Sequence, residues 1–204
     1  VYTLSPKMHN SAFARLGLDF VYVPFIVKPH QLKNAVESLR VLNIRGVNVT
    51  IPHKQAILPF MDEVSLLAGT IGAVNTVLNQ RGKLIGHNTD ATGFLTSIKE
   101  DGHINPHGKS ALILGAGGTA HAMCVALLES GIKQIIIMNR TLARAQELVS
   151  YLKQFAPQAI ILAQELNRGN FTDSIRASDL LLNATPTGID SDSLGVSLEK
   201  LLTG

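Results

Sequence analysis

The sequence predicts an α/β protein with two parts: a mixed-sheet domain over residues 1–90, and a connecting helix followed by a parallel-sheet domain over residues 91–204. Three observations predict this division. Helix-like and strand-like hydrophobic patterns alternate up to residue 51, a hairpin pattern interrupts them between residues 74 and 87, and a glycine-rich turn joins a strand to a helix at residues 115–120.

The first part is predicted to alternate between helices and strands before the hairpin. In order, these are a helix capped by Ser5 that begins at Pro6 and ends at Gly17, a strand over residues 20–26, a helix with Leu32, Ala35, Val36 and Leu39 on one face, and a strand over residues 46–51. Strands over residues 74–78 and 83–87 flank a polar turn at residues 79–82, which favours a hairpin over a crossover. The first sheet is therefore expected to be mixed.

The second part is predicted to consist of strand–helix–strand units. A connecting helix over residues 91–101 and a composition break at residues 105–108 precede it. The predicted strands cover residues 111–114, 134–138, 159–162 and 179–182, and the predicted helices cover residues 119–130 and 141–153. Because each helix carries the chain back across a sheet face, these strands should lie parallel.

Composition and charge favour a soluble globular protein. Hydrophobic residues make up 46% of the chain and charged residues 16%, outside the range of disordered chains. The net charge of +3 comes from scattered Lys and Arg rather than a basic run, so no nucleic-acid partner is expected. No apolar stretch is long enough for a membrane helix, and no secretion signal stands at the start. We expect a cytoplasmic monomer or homodimer.

The cysteine and histidine residues predict neither a disulfide nor a metal site. Cys124 is the single cysteine, and its apolar neighbours predict a buried small side chain rather than a nucleophile. A single cysteine also suits a reducing compartment. His9, His53, His87 and His121 share no metal-ligand spacing and are expected to be structural or surface residues.

The glycine-rich turn matches the Gly-x-Gly-x-x-Ala form of the dinucleotide fingerprint, and it lies where a strand becomes a helix. Gly115 would permit the tight turn, Gly117 the close approach of a pyrophosphate, and Ala120 the contact of helix with strand. The fingerprint predicts a Rossmann-type domain whose cofactor site includes Gly115, Ala116, Gly117, Gly118 and Thr119. A glycine turn with a purely structural role is the alternative.

The end of the next predicted strand favours NADP over NAD. NAD-binding proteins usually place an acid there to accept hydrogen bonds from the ribose hydroxyls. This sequence instead has Asn139, Arg140 and Thr141, followed by Arg144. Two guanidinium groups and a hydroxyl are donors suited to a 2′-phosphate. The alternative is that both arginines are ordinary exposed helix residues.

Four polar stretches embedded among apolar residues suggest a pocket in the first part. They are TLSPKMHN at residues 3–10, NVTIPHK at residues 48–54, GAVNT at residues 72–76 and GHNTDATGF at residues 86–94. In this order, ahead of the glycine fingerprint and the Asn139 cluster, they resemble the shikimate dehydrogenase family across nearly the whole chain. The resemblance implies reversible reduction of 3-dehydroshikimate to shikimate with NADPH, a step in chorismate and aromatic amino acid biosynthesis.

The resemblance also implies roles for individual residues. It makes Lys54 the catalytic acid/base and Asp90 its partner at the substrate. Thr3, Ser5, Thr50 and Asn75 become the other substrate contacts. The residue types suit the chemistry, because hydride transfer at a carbinol carbon needs a titratable group near its oxygen. Hydroxyls at a helix start suit a substrate carboxylate.

The sequence departs from the family in two respects. The family usually has serine where Thr3 stands, and the added methyl group could alter the preference between shikimate and quinate. The family also has, beyond the position of Gly204, a Gln-containing segment that contacts substrate. Because the chain starts at Val1 rather than Met, we also expect sequence upstream. Residues 180–188 resemble the family's strand and loop near the nicotinamide and form a secondary candidate site. A strand that ends in a polar turn without a functional role is the alternative.

Alternative functions and roles stay open at this point. A quinate/shikimate dehydrogenase that uses NAD is a related enzyme, and a non-catalytic NADP-binding module is a function of a different class. Among single residues, Ser5 could be only an N-cap, Asp90 only the cap of the connecting helix, and Asn75 only a turn or ladder residue.

Overall fold

The computed structural model describes residues 3–185, which fold around two four-stranded sheets. The helices are α1 Ser5–Arg15, α2 Leu32–Val41, α3 Leu66–Ile71, α4 Asp90–Thr96, α5 Gly118–Glu129, α6 Leu142–Lys153 and α7 Arg168–Arg176. The strands are β1 Gly46–Asn48, β2 Glu63–Val64, β3 Thr76–Gln80, β4 Lys83–His87, β5 Ser110–Leu114, β6 Gln134–Asn139, β7 Ile160–Glu165 and β8 Leu180–Asn183. Short 3₁₀ turns at Pro29–Gln31 and Leu58–Phe60 complete the first part.

The first sheet is mixed, as the sequence predicted. Its strand order is β1-β3-β4-β2, with β1, β3 and β4 antiparallel and β2 parallel to β4. The hairpin turn contains only Arg81 and Gly82, both with positive φ, where four turn residues were predicted. Two residues of positive φ match the twist of the flanking strands, which lets the ladder extend to the pair of Gln80 and Lys83. Pairing of β1 stops at Asn48, short of the predicted end at residue 51.

Two predictions for the first part are wrong. Residues 20–26 form no strand, because side chains already hold this segment: Asn10 bonds both backbone groups of Tyr22, and His53 contacts the carbonyl of Val27. Ser5 does not cap α1. Leu4 occupies the cap position without a side-chain bond, and Ser5 is already helical.

The second sheet is fully parallel, in the order β7-β6-β5-β8. Counted within this part of the chain, the order is 3-2-1-4, which is the first half of a doubly wound nucleotide-binding fold. The strand order reverses between β5 and β8, so a crevice is expected at their carboxyl ends. The glycine-rich turn that follows β5 lies at this position.

Two helices were not predicted, and a third differs from its prediction. Helices α3 and α7 are the unpredicted ones, and the predicted connecting helix is α4 continued by a π-helical turn at Ser97–Asp101. Helix α7 buries only Phe171 and Ser174, so it lacks the long apolar face that marks a helix in a sequence.

One hydrophobic core crosses from the second part into the first. Its buried residues include Ile71, Ala73 and Ala91 together with apolar side chains from several sides of α5. A separate core under the first sheet contains Leu32, Val36 and other side chains. The two sheets are therefore joined through the ends of α3 and α4, next to α5.

Candidate active site

Lys54 and Asp90 form an ion pair in the described structure. The Lys54 Nζ donates to Asp90 Oδ2 at 2.7 Å, although 36 residues separate them in sequence. The lysine side chain is 14% exposed and the aspartate side chain 28% exposed, so the pair is shielded yet reachable from solvent. Asp90 is the first residue of α4 and does not act as its cap, because Thr89 occupies that position.

Two asparagines also hold Asp90, one through its carboxylate and one through its backbone. Asn75 Nδ2 donates to Asp90 Oδ1 at 2.7 Å, and the Asp90 backbone N–H donates to Asn88 Oδ1 at 2.9 Å. Asn88 in turn donates to the carbonyl of Ala73. Asn75 is buried, so its amide makes its hydrogen bonds inside this cluster. Both oxygens of Asp90 thus have a donor, which fixes the orientation of the carboxylate beside Lys54.

Backbone hydrogen bonds connect the loops that carry these side chains. The N–H of Val74 donates to the Lys54 carbonyl at 2.7 Å, and the N–H of Val49 donates to the Asn75 carbonyl at 2.7 Å. The N–H of Asn75 donates to the His87 carbonyl at 3.0 Å. The lysine loop and the asparagine loop therefore behave as one unit at the edge of the first sheet.

Lys54 also reaches the nucleotide-binding fingerprint. Its Nζ lies 3.4 Å from Thr119 Oγ1 on the first turn of α5. A Cβ at Gly118 would lie 3.3 Å from Lys54 Cβ and 3.5 Å from Ala73 Cβ. Glycine at position 118 thus lets the lysine stem lie directly against the start of the helix.

The glycine turn has the geometry of an anion-binding site. Gly115 has a φ of 102°, and a Cβ there would lie 3.1 Å from the Ala184 carbonyl oxygen. Gly117 occupies the cap position of α5, and as a glycine it makes no side-chain bond to the helical N–H groups. Among residues 3–185, nothing lies within 4 Å of a Cβ built at Gly117. The space and the free donors fit a pyrophosphate. The other fingerprint residues at this helix start are Ala116, Gly118 and Thr119.

The residues predicted to select NADP lie at the end of β6 and the start of α6. Asn139 ends β6, and its side chain donates to the Thr141 carbonyl at 2.9 Å. Arg140, Thr141 and Arg144 are exposed, and residues 139–144 contain no Asp or Glu. The donor set therefore fits a phosphate on the ribose better than free hydroxyls.

The remaining predicted substrate contacts lie apart from this network. Thr3 and Thr50 are exposed, and Ser5 is partly buried at the start of α1. Thr3 Oγ1 accepts from the Ser5 N–H at 3.3 Å. Within residues 3–185, no hydrogen bond joins these three side chains to Lys54 or Asp90.

A chain of polar side chains that the sequence did not single out connects α1 to the cluster. Tyr22, whose backbone is bound by Asn10, donates through its hydroxyl to Asn48 Oδ1 at 3.1 Å. Asn48 donates to Thr76 Oγ1 at 3.3 Å, and Thr76 donates to Asn75 Oδ1 at 2.9 Å. Asn48 lies in a quoted polar stretch, whereas nothing in the sequence around Tyr22 marked it as part of a site.

Of the four histidines considered as candidate acids or ligands, three have structural partners. His9 stacks on Tyr22, His53 contacts the Val27 carbonyl, and His121 is buried with both ring nitrogens in contact with polar atoms.

Across the described residues, no group of three or more His, Cys, Asp or Glu side chains could hold a metal ion. None of the helices in that part is long and apolar enough to cross a bilayer. Cys124 is fully buried, as predicted.

The loop predicted as a secondary site is described only up to Thr185. Asn183 ends β8, and its Oδ1 accepts from the backbone N–H of Thr185 at 3.0 Å. Pro186, Thr187 and Gly188 lie outside the described residues.

The arrangement can exchange a proton with a ligand bound beside an anion-binding turn. It presents an amine and an oriented carboxylate at one point, with the N-terminus of α5 directly adjacent. Such a pair can deliver a proton to, or take one from, an oxygen that is being reduced or oxidised. The adjacent fingerprint supplies the binding groups for a dinucleotide that carries hydride.

Two family profiles match the chain in sequence order. Residues 1–77 match the shikimate dehydrogenase substrate binding domain, and residues 98–187 match the family described as shikimate / quinate 5-dehydrogenase. The first match contains Lys54 and Asn75, and the second contains the glycine turn and the Asn139 cluster.

Individual relatives agree with these profiles. The NADP(+)-dependent shikimate dehydrogenase of Halothermothrix orenii is 41% identical over 188 residues, which cover 92% of this chain and 65% of the relative. Shikimate 5-dehydrogenase from Thermus thermophilus, solved in complex with NADP(H) and shikimate, is 38% identical with a TM-score of 0.76, and the match covers 94% of this chain and 67% of that one. Quinate dehydrogenase from Corynebacterium glutamicum in complex with NAD is 32% identical with a TM-score of 0.77, and the match covers 90% of this chain and 66% of that one.

Proposed function

Because the chain belongs to the shikimate dehydrogenase family, we propose that it carries out the reversible NADPH-dependent reduction of 3-dehydroshikimate to shikimate. The observation that carries the proposal is the Lys54–Asp90 pair, held at 2.7 Å beside the start of the fingerprint helix. The chain spans 65% of the length of the H. orenii relative, and the activity is proposed for the protein that carries this sequence.

Lys54 is proposed as the acid/base and Asp90 as its partner. In the reducing direction, the carbonyl carbon gains hydride while the Lys54 ammonium gives a proton to the carbonyl oxygen. In the oxidising direction, the neutral amine takes the proton of the ring hydroxyl. Asp90 orients the amine through Oδ2, and Asn75 holds Oδ1, so the carboxylate keeps its position while the lysine changes charge.

The remaining polar residues are proposed to orient the ring acid. Thr3 and Ser5 lie at the start of α1, where backbone N–H groups and hydroxyls suit the substrate carboxylate. Thr50 and Asn75 are proposed to contact ring hydroxyls. The side-chain contacts from Tyr22 to Asn75 support this arrangement, because they tie the helix to the Asn75 loop.

The fingerprint residues fit NADP(H), which supplies or accepts the hydride when it is bound. Gly115, Ala116, Gly117, Gly118 and Thr119 would hold the pyrophosphate, and Asn139, Arg140, Thr141 and Arg144 would hold the 2′-phosphate. The open space at Gly117 and the absence of an acid over residues 139–144 support these assignments. The proposed boundary between the substrate-binding and cofactor-binding parts follows Asp90. A small ring acid is the proposed partner of a cytoplasmic monomer or homodimer.

An absorbance assay of nicotinamide reduction tests the function. Protein carrying this sequence should reduce NADP⁺ in the presence of shikimate, and Lys54→Ala should abolish the reaction without abolishing NADPH binding. If the protein binds NADPH but oxidises no shikimate, and Lys54→Ala binds equally well, a non-catalytic binding module is the correct interpretation.

A second candidate is a quinate/shikimate dehydrogenase that uses NAD. The likeness to the C. glutamicum quinate dehydrogenase and the methyl group of Thr3 favour testing it. Turnover of shikimate and quinate with both cofactors separates the two. Our proposal predicts the highest kcat/KM for shikimate with NADP⁺, and a preference for NAD would contradict the roles given to Arg140 and Arg144.

A further inference from the structure

His121 occupies an unusual position for a polar side chain. It is the residue after Ala120 in the fingerprint helix α5, and it is only 8% exposed. Instead of facing the cofactor turn, its ring contacts the first part of the chain. Nδ1 lies 2.9 Å from the Ile71 carbonyl oxygen, and Nε2 lies 3.3 Å from Gln55 Nε2.

These two contacts define one state of the imidazole. A carbonyl oxygen can only accept, so Nδ1 carries the proton and donates to Ile71. Nε2 is then an acceptor, and the Gln55 amide donates to it. The neutral ring satisfies both nitrogens, which a buried imidazole requires. Burial lowers the pKa of His121 from its ordinary value of 6.5, which favours this neutral form.

Tyr151 on α6 adds a second contact of the same kind. Its hydroxyl donates to the Gly69 carbonyl at 3.0 Å, and its ring lies 5.4 Å from that of His121. A Cβ at Gly72 would lie 2.8 Å from the tyrosine oxygen, so the backbone there approaches the ring closely. Gly69 and Ile71 belong to the last turn of α3, where carbonyls lack the i+4 partners of a continuing helix. The Gly69 carbonyl also accepts from the Gly72 N–H at 3.1 Å. Side chains of α5 and α6 therefore cap a helix of the first part.

The segments that His121 contacts lead to the proposed acid/base and to the asparagine that holds Asp90. Gln55 directly follows Lys54, and Ile71 lies shortly before Asn75 in the chain. The hydrogen bond from the Val74 N–H to the Lys54 carbonyl joins the two segments. His121 thus contacts both halves of this unit from the helix that begins at the cofactor turn.

We propose that His121 is a positioning residue for the reaction: through Ile71 and Gln55 it holds the Lys54 and Asn75 loops at a fixed distance from the cofactor turn. This inference deepens the proposed function and rests on it. Removal of the contacts would leave the cofactor turn intact, because His121 donates nothing to Gly117 except its own helical N–H. The loss should therefore affect turnover and not cofactor binding.

The test compares variants that remove the contacts separately. His121→Phe keeps an aromatic ring beside Tyr151 and removes both hydrogen bonds, whereas His121→Asn keeps a donor near the position of Nδ1. Gln55→Ala removes only the second contact, from an exposed residue. His30→Phe, an exposed histidine in the Pro29–Gln31 turn, is the matched control.

We expect kcat for shikimate oxidation to fall by about 10- to 100-fold in His121→Phe, a range typical of small misplacements of reacting groups. The dissociation constant of NADPH should change by less than about twofold, and His121→Asn should recover most of the rate. The kcat of Gln55→Ala should lie between those of His121→Phe and His121→Asn. The kcat of His30→Phe should match that of the wild type. Unchanged kcat in His121→Phe, or a parallel loss of NADPH affinity that Asn does not rescue, would overturn the proposal.

Hydrogen exchange gives a readout that needs no turnover. The amide of Val74 should exchange at least about tenfold faster in His121→Phe than in the wild type, measured without ligands, because the loops lose their clamp. Equal exchange in both proteins would also overturn the proposal. Faster exchange in His121→Phe, together with a wild type that oxidises no shikimate, would refute the proposed function and leave the clamp supported.

Discussion

Substitution of Gly117 by alanine should separate cofactor binding from folding. The residue has a φ of −95° and a ψ of −175°, which alanine adopts without strain, and the new methyl group would meet no atom of the described part of the chain within 4 Å. The free energy of unfolding should therefore change by less than about 1 kcal/mol. With NADPH bound, the methyl group would occupy the space proposed for the pyrophosphate. Overpacking of this kind costs about 1–3 kcal/mol, or roughly 5- to 150-fold in affinity.

Calorimetric titration with NADPH and urea denaturation measure the two effects on the same protein. Gly93→Ala is the matched control, because Gly93 is an exposed residue of α4 whose added Cβ would also meet nothing within 4 Å. This control should bind NADPH as the wild type does. Wild-type affinity in Gly117→Ala would refute the assignment of this turn to the pyrophosphate, and a large loss of stability would show that the space around Gly117 is not open.

Three further predictions concern the ribose phosphate, the buried histidine and the cysteine. Replacement of Arg140 and Arg144 by alanine should weaken NADPH binding at least about tenfold, since charged hydrogen bonds contribute roughly 1.5–3 kcal/mol each. Titration should show that NADH binding is nearly unchanged, and equal losses for both cofactors would contradict the 2′-phosphate assignment. Burial lowers the pKa of His121 from 6.5, so below pH 6.5 this histidine binds a proton more readily in the unfolded chain than in the folded chain. The free energy of unfolding should therefore fall as the pH drops below 6.5. Urea denaturation should show that His121→Asn loses less stability over that range, and identical pH profiles would argue against a neutral buried ring. Burial raises the pKa of the Cys124 thiol, so a thiol reagent should label the folded protein only after denaturant is added, and rapid labelling in buffer would contradict its full burial.

Local patterns predicted the second part of the fold well. The strand, glycine turn and helix around residues 111–130 follow one another within a short stretch, so the sequence contains the whole signal. Helix α7 lacked that signal, because only two of its side chains are buried. Helix α3 has six residues and includes Gly69, so its apolar residues did not resemble a helix pattern.

The first part was harder to predict because distant side chains decide its structure. Residues 20–26 have the composition of a strand, yet Asn10 occupies the backbone groups of Tyr22 that a ladder would use. Val21 and Ile26 are 75% and 79% exposed, and the sequence of this segment gives no sign that these apolar residues face solvent. The β-propensity of a segment is read from its own residues, whereas a strand forms only when a neighbouring strand pairs with it.

The candidate site was predicted through family resemblance and not through spacing. Lys54 and Asp90 are 36 residues apart, and only the folded sheet and α4 bring them to 2.7 Å. In the network behind them, Thr76 lies in one of the polar stretches, whereas Tyr22 has no sequence signature. His121 was predicted to be a structural or surface residue, and its partners Ile71 and Gln55 could be found only in the folded chain.

The amine of Lys54 is proposed to exchange the proton that accompanies hydride transfer, and the whole mechanism depends on this step. Single-turnover oxidation of shikimate by Lys54→Met tests it most directly, because methionine keeps an apolar stem against Gly118 and removes the amine. We predict a rate constant roughly 10²- to 10⁴-fold below that of the wild type, with both ligands still bound. A wild-type rate of hydride transfer in this variant would contradict the account.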